Sequence, residues 1–182
     1  MTQLTQSLLM ENNIEVISNN WTQELLMFAQ RGDVGVVGGI IYRHDEKIEH
    51  AGFILERDGS ITHRFRDQAR GSVGYMGRLG YVQNLTAVSG SVMMFSKSAW
   101  KAIGGIDEHF RNKYWDIDFC LSLRDKGYLN VWTPYAEFYR ERVNEPQKQT
   151  ADIDKTYYLS KHENLLNKND PYGNPNLRFI GQ

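Results

Sequence analysis

The chain has 182 residues, 41% of them hydrophobic and 24% charged, with a formal net charge of −1. That is the balance of a folded globular domain, or a large piece of one, and it excludes a disordered chain. Near-neutral charge argues against nucleic acid as a partner, no apolar run approaches the roughly 20 residues of a membrane span, and residues 1–4 lack the basic and apolar regions of a signal peptide. The single Cys120 rules out an internal disulfide framework or a Cys-based zinc site, and these absences together imply a cytoplasmic location.

Residues 7–10 and 14–17 read as short strands around the polar turn Glu11-Asn12-Asn13, an unusual insertion at the mouth of what looks like a buried strand. Ser18-Asn19-Asn20 offers capping oxygens for a helix through Trp21, Leu25, Leu26 and Phe28, expected to stop near Arg31-Gly32. VGVVGGIIY (34–42) is apolar throughout, as a strand buried on both faces is. KIEHAGFILE (47–56) predicts a further strand closed by the turn Arg57-Asp58-Gly59, and residues 60–83 show no clean period and read as a long ordered loop. Strand character returns over 86–96, followed by a short helix over 97–105 ended by Gly104-Gly105.

The stretch 114–128 predicts a helix whose buried face holds Ile117, Cys120, Leu121 and Leu123, with Asp116 and Asp118 in a first turn where the helix dipole favours negative charge. One or two strands split at Pro134 cover 129–142, a last helix covers 148–167, and an extended tail, NDPYGNPNLRF, follows. Strands alternating with helices place the chain in the α/β class, with helices on the faces of a sheet.

Five segments in this order resemble the family 2 glycosyltransferases, the inverting, nucleotide-sugar-dependent enzymes with a GT-A fold. They are ENNIEVISNNWTQELL, IEHAGFIL, TAVSGSVMMFSKSAWKAIGGIDEHF, WDIDFCLSLRDKGYLNVWTPYAEFYR and DPYGNPNLRF. The resemblance is strongest to bacterial members that build polysaccharide and O-antigen chains, and it runs from about Leu8 to the C-terminus. It implies a GT-A-like mixed sheet flanked by helices, with residues 1–182 forming a single domain. In the family the acidic turn follows a βαβα half that binds the nucleotide. Here almost nothing precedes it, so the chain resembles a partial, N-terminally truncated domain, the acceptor-side portion.

The resemblance also implies roles for particular residues. Asp116 falls where the family has the base that deprotonates the acceptor hydroxyl; by itself it is equally what a helix N-terminus favours. Trp115 departs from the family, which has Glu or Asn there. Asp118 points well away from Asp116 and reads as structural. The family holds Mg²⁺ or Mn²⁺ at its acidic turn and at a histidine after the late strand. This chain has Glu11 and Asn13 in the turn and Arg140 in place of that histidine, so the metal site looks degraded, with Glu11 a weak candidate ligand. Arg140 and Arg142 either pair with neighbouring glutamates at a strand end or supply positive charge to the donor diphosphate themselves.

His50, Gly90, Gly104, Gly105, Asp107 and Trp115 match acceptor-side positions, and His63 lies near the same cleft, although strand histidines, turn glycines and core aromatics are common in their own right. The implied partners are a nucleotide-sugar and a glycan acceptor. The expected function is sugar transfer in polysaccharide or O-antigen synthesis, weak or absent in the isolated chain. The alternative is a non-catalytic glycan-binding or partner-binding module that self-associates or pairs with a complementing nucleotide-binding chain.

Overall fold

The computed structural model describes residues 5–56, 58–111, 113–141, 151–166 and 170–173. Arg57, Arg142, residues 148–150, Asn167 and most of the tail therefore lie outside the described residues. Within them, the strands Gln6–Met10 (β1), Ile14–Val16 (β2), Val34–Arg43 (β3), Ile48–His50 (β4), Gln83–Leu85 (β7), Val92–Ser96 (β8) and Leu129–Arg140 (β9) form one mixed sheet. A separate two-stranded sheet pairs Phe53–Leu55 (β5) with Ile61–His63 (β6). The main order is β1-β8-β3-β9-β2, with β4 attached to β3 and β7 to β9, and only β3 and β9 run parallel.

The long apolar run of β3 is explained by its place. Every residue from Val34 to Tyr42 is buried, because helices cover both faces of the sheet. Val37 and Ile41 join Leu25 and Ala29 of the helix Trp21–Ala29 (α1) in one core. Val36 and Ile40 join the opposite core with Phe119, Leu121 and Leu123 of the helix Trp115–Asp125 (α3) and with the helix Lys97–Ile103 (α2). Fully burying side chains of this size contributes about 1.5–3 kcal/mol each. Helix Ala151–Lys161 (α4) adds Tyr158 to this second core, and Glu163–Leu166 (α5) adds Leu166. Among the described residues no helix is long and apolar enough to cross a membrane.

Several local expectations are corrected. The strands flanking Glu11-Asn12-Asn13 are not buried and do not pair with each other. β1 and β2 are half-exposed strands at opposite edges of the sheet, so the turn crosses the end of it. Asn20 stands at the N-terminus of α1 but makes no side-chain cap, and the Ser18 hydroxyl accepts from the Glu137 amide (3.0 Å) instead. α1 stops at Ala29 without a left-handed glycine. The strand expected over 47–56 breaks into β4 and β5, and residues 60–83 include β6 and two short 3₁₀ turns over Tyr75–Gly80. Three-residue strands are too short to carry a period. The helix expected over 148–167 is two helices where it is described.

β9 continues through Pro134 as one strand. Its register against β3 jumps from Gly38↔Trp132 to Ile40↔Glu137, so a bulge over 133–136 folds onto Gly39. A Cβ on Gly39 would lie 2.3 Å from the Ala136 carbonyl oxygen, and the Gly39 carbonyl accepts from Trp132 Nε1 at 3.0 Å. Only glycine admits that approach.

Candidate active site

The C-terminal ends of β3 and β9 meet the Glu11-Asn12-Asn13 turn and the segment Ser89-Gly90-Ser91 that leads into β8. Backbone bonds fix the meeting: the Glu11 amide donates to the Ser91 carbonyl (2.9 Å), and the Glu141 amide to that of Asn13 (2.9 Å). On this frame Ser89-Gly90-Ser91 is a joint between two charged groups. The Gly90 amide donates to Asp116 Oδ2 at 2.9 Å, while the Ser91 hydroxyl accepts from Arg140 Nη2. Ser89 and Ser91 are hydrogen-bonded to each other at 3.0 Å.

Asp116 is the second residue of α3, and its other oxygen accepts from the Ile117 amide at 2.9 Å. Burial raises its carboxyl above the usual carboxylate range; the Gly90 and Ile117 amides work against that, and the negative charge of Glu11 adds to it. The helix begins after Tyr114, held at φ 67°, which turns the chain sharply into the site. Gly90 is required by contact rather than by φ. A Cβ there would stand 2.4 Å from the Trp115 ring and 2.8 Å from the Asp116 Cβ. Trp115 and Asp116 thus lie directly on the Gly90 backbone.

Arg140 lies opposite. Its guanidinium pairs with Glu11 at 2.9 Å and sits 3.6 Å from Glu49, while its Nε is buried without a hydrogen-bond partner. The positive charge of Arg140 reaches two neighbouring imidazoles. His50 and His63 share one hydrogen bond between their Nδ1 atoms at 2.9 Å, so one ring donates and the other accepts. Burial first, then His63, Arg140 and Arg66, lower His50 well below the ordinary histidine range. His63 is lowered to about 4 by burial, Arg66 and Arg140.

These residues do not fit a divalent cation. A fixed guanidinium already stands between Glu11 and Glu49, where it would repel a metal ion, and the Asn13 backbone carbonyl is taken by the Glu141 amide. Among the described residues no three of His, Cys, Asp and Glu are grouped to hold one.

The fold thus brings together Glu11, Asn13, His50, Gly90, Trp115, Asp116 and Arg140. It does not bring in Asp107, Gly104 or Gly105. Gly104 is the left-handed C-cap of α2 (φ 79°), and Gly105 lies under the Trp100 ring. Asp107 belongs to a second cluster: one oxygen accepts from the amide and ring of His109, the other from Tyr157 (3.0 Å) and Lys161 (2.6 Å). Asp118, two residues after Asp116, faces that cluster through Lys161 (2.8 Å) and buried His162 (2.7 Å). Arg142 lies outside the described residues.

Sequence reasoning missed Ser89, Ser91 and Glu49. The serines had one visible signal, two small polar residues flanking a glycine just before a buried strand. Glu49 had none, since a glutamate on a three-residue strand points to no particular face until the sheet is assembled.

No family model matches the chain. In an alignment of 176 positions that covers 93% of this chain, it is 34% identical to the uncharacterized protein y4gI of Sinorhizobium fredii (strain NBRC 101917 / NGR234), of which it covers 19%. Over 176 residues it is also 28% identical to the O-antigen biosynthesis protein RfbC of Myxococcus xanthus, covering 14% of that protein. The chain therefore spans less than a fifth of the length of these relatives. Among solved structures it is similar to GalNAc-T7 with UDP, GalNAc and Mn²⁺, with a TM-score of 0.56 at 9% identity, covering 87% of this chain and 38% of that one. The fold is that of a GT-A-like glycosyltransferase.

Proposed function

We propose that residues 1–182 form the acceptor-side part of a family 2-like, inverting transferase that moves a sugar from a nucleotide-sugar to a glycan acceptor in polysaccharide or O-antigen synthesis. The observation that carries this reading is Asp116. Its carboxyl is held by the Gly90 and Ile117 amides within electrostatic reach of Glu11, and its affinity for protons is raised there. A base has to reach the acceptor hydroxyl and works best when its pKa lies near the operating pH. In the step, Asp116 takes the hydroxyl proton, the acceptor oxygen bonds to the anomeric carbon, and the nucleoside diphosphate leaves with the bonding pair. The O-antigen relative supports the product class.

A second reading draws on one specific observation. Arg140 already faces both Glu11 and Glu49, so this corner offers no excess positive charge to a diphosphate. That favours a chain that holds the glycan, with little or no transfer of its own, and depends on a separate nucleotide-binding partner or on a second copy.

Calorimetric titration of the chain with UDP- and dTDP-sugars, with and without Mn²⁺, separates the two. Under the first reading donor binds, Mn²⁺ adds nothing because Arg140 occupies its place, and Asp116→Asn lowers transfer by roughly 10²–10⁴-fold at unchanged donor affinity. Flat titrations would end the catalytic reading for this chain alone. A fully active Asp116→Asn variant would remove the base assignment.

A further inference from the structure

A different part of the molecule carries an unexplained charge. Arg64, which follows β6, is only 4% exposed, yet its Nη1 has no hydrogen-bond partner and, among the described residues, no carboxylate pairs with it. Its Nη2 donates to Gln83 Oε1 at 3.2 Å. Gln83 forms part of the wall of an open cleft of about 550 Å³, shared with Arg78, Tyr81, Asn84, Pro171 and Tyr172. Arg64 therefore stands directly behind the cleft wall. Burial and the nearby Arg78 lower its pKa to about 10, with Asp170 and Tyr81 acting in the opposite direction.

The remaining charges do not correct the imbalance. Arg124, in the last turn of α3, stacks over the Tyr172 ring at 5.6 Å and donates to the Thr86 hydroxyl at 3.3 Å. Among the described residues, Asp170 is the carboxylate that acts on Arg64. Its oxygens are already engaged by the Leu55 amide (3.1 Å), the Tyr172 amide (3.0 Å) and the Thr86 hydroxyl. Arg64 is only partly satisfied, by Gln83 and by the Phe65 ring 5.1 Å away, and a buried guanidinium with an orphaned nitrogen is costly and persists most readily where a ligand completes it. The lining adds chemistry suited to a sugar ring: tyrosine faces for stacking, and carboxamides that donate and accept hydrogen bonds. Arg124 is eight residues beyond Asp116 on α3, about 12 Å along the helix axis, so the cleft lies one helix length from the proposed base.

We propose that this cleft is a second carbohydrate subsite, selective for a sugar that bears a negative group, a carboxylate or a phosphate, and that it holds an acidic residue of the glycan. The ligand anion pairs with Arg78 at the rim and with Arg64 as Gln83 turns aside, and the ring lies against Tyr81 or Tyr172. The proposal rests on the glycan-acceptor reading above, but its test needs neither donor nor turnover.

The chain, and its Asp116→Asn variant, are titrated with a glucuronate-containing oligosaccharide, the same oligosaccharide with its carboxyls reduced to alcohols, a sugar phosphate and inorganic phosphate. Expected is saturable binding of at least one acidic sugar, with the neutral oligosaccharide about tenfold weaker or worse. Which acidic probe binds more tightly identifies carboxylate or phosphate as the natural group. Arg78→Ala, at an accessible rim position, is expected to weaken binding about tenfold. Arg64→Met is expected to abolish it while thermal unfolding stays at or above the wild-type temperature. Equal affinity for acidic and neutral oligosaccharides, inorganic phosphate binding as tightly as the sugar phosphate, no binding of either acidic sugar, or an Arg78→Ala variant of unchanged affinity would each overturn the proposal. Acid-selective binding without any transfer would refute the catalytic reading and leave this one standing; transfer without such binding would do the reverse.

Discussion

Replacing Gly90 with alanine tests the joint on which the candidate active site is built. The added Cβ would stand 2.4 Å from two atoms of the Trp115 ring and 2.8 Å from the Asp116 Cβ, whereas ordinary contact begins near 3.4 Å. Relief therefore requires the first turn of α3 to retreat by roughly 1 Å, or the Ser89-Gly90-Ser91 segment to move by as much. Trp115 packs against the main core, so neither motion is free. Overpacking of this kind costs about 1–3 kcal/mol. In a chain of this size each kcal/mol lowers the melting temperature by about 2–4 °C, so the expected fall is roughly 2–12 °C. Asp116 moves with the turn, and a misplacement of about 1 Å lowers a transfer rate by on the order of 10²-fold. Thermal unfolding followed by circular dichroism, with Trp fluorescence as a probe of Trp115, reads both effects. Adding Trp115→Ala to the alanine variant should return part of the lost stability, because the shortest contacts are to that ring. A Gly90→Ala protein that melts within about 1 °C of wild type, with unchanged fluorescence, would refute the packing described here and with it the placement of Asp116.

Three further outcomes follow from named contacts. Asp116→Asn is expected to keep or raise the melting temperature at neutral pH. A carboxyl whose folded pKa is raised contributes stability below its unfolded pKa and loses it as pH rises through the folded value; a drop of several degrees at pH 7 would identify a structural helix cap instead. The His50–His63 pair should make the protein acid-sensitive: both pKa values are depressed, so the stability tied to the neutral rings is complete above about pH 6.5 and is lost as pH falls toward 4. His63→Gln should flatten a melting-temperature profile over that window, and an unchanged slope would count against the neutral pair. Asp107 answers to opposing influences: burial raises its carboxyl, but Lys161, His109 and Tyr157 together hold it well below the usual range. Asp107→Asn should cost about 1–3 kcal/mol at pH 7, a difference that vanishes as pH falls below the ordinary carboxylate value, and urea unfolding at both pH values measures it.

Local chemistry alone decided a good part of this protein. The unbroken β-branched run of β3 required burial on both faces, the acidic first turn of α3 marked a helix N-terminus, and Gly104 ended α2, because each depends on residues within a few positions of one another. Local patterning reached only the α/β class; the GT-A-like fold was legible through the resemblance of five ordered motifs to a known family. What lay beyond reach were relations set by sheet order. β1 and β2 look like two arms of one turn in sequence, yet three strands separate them in the sheet. The pairing of Arg140 with Glu11 and Glu49 joins residues from three distant segments, and Asp107 is claimed by a helix some fifty positions away. Arg64 is the plainest case: in sequence it is one arginine among several, and only the assembled structure shows it buried behind a cleft with one nitrogen lacking a hydrogen-bond partner. Periodicity reports which face of an element is apolar; it carries no information about which charges the fold will bring together, because those contacts depend on chain crossings that no local spacing encodes.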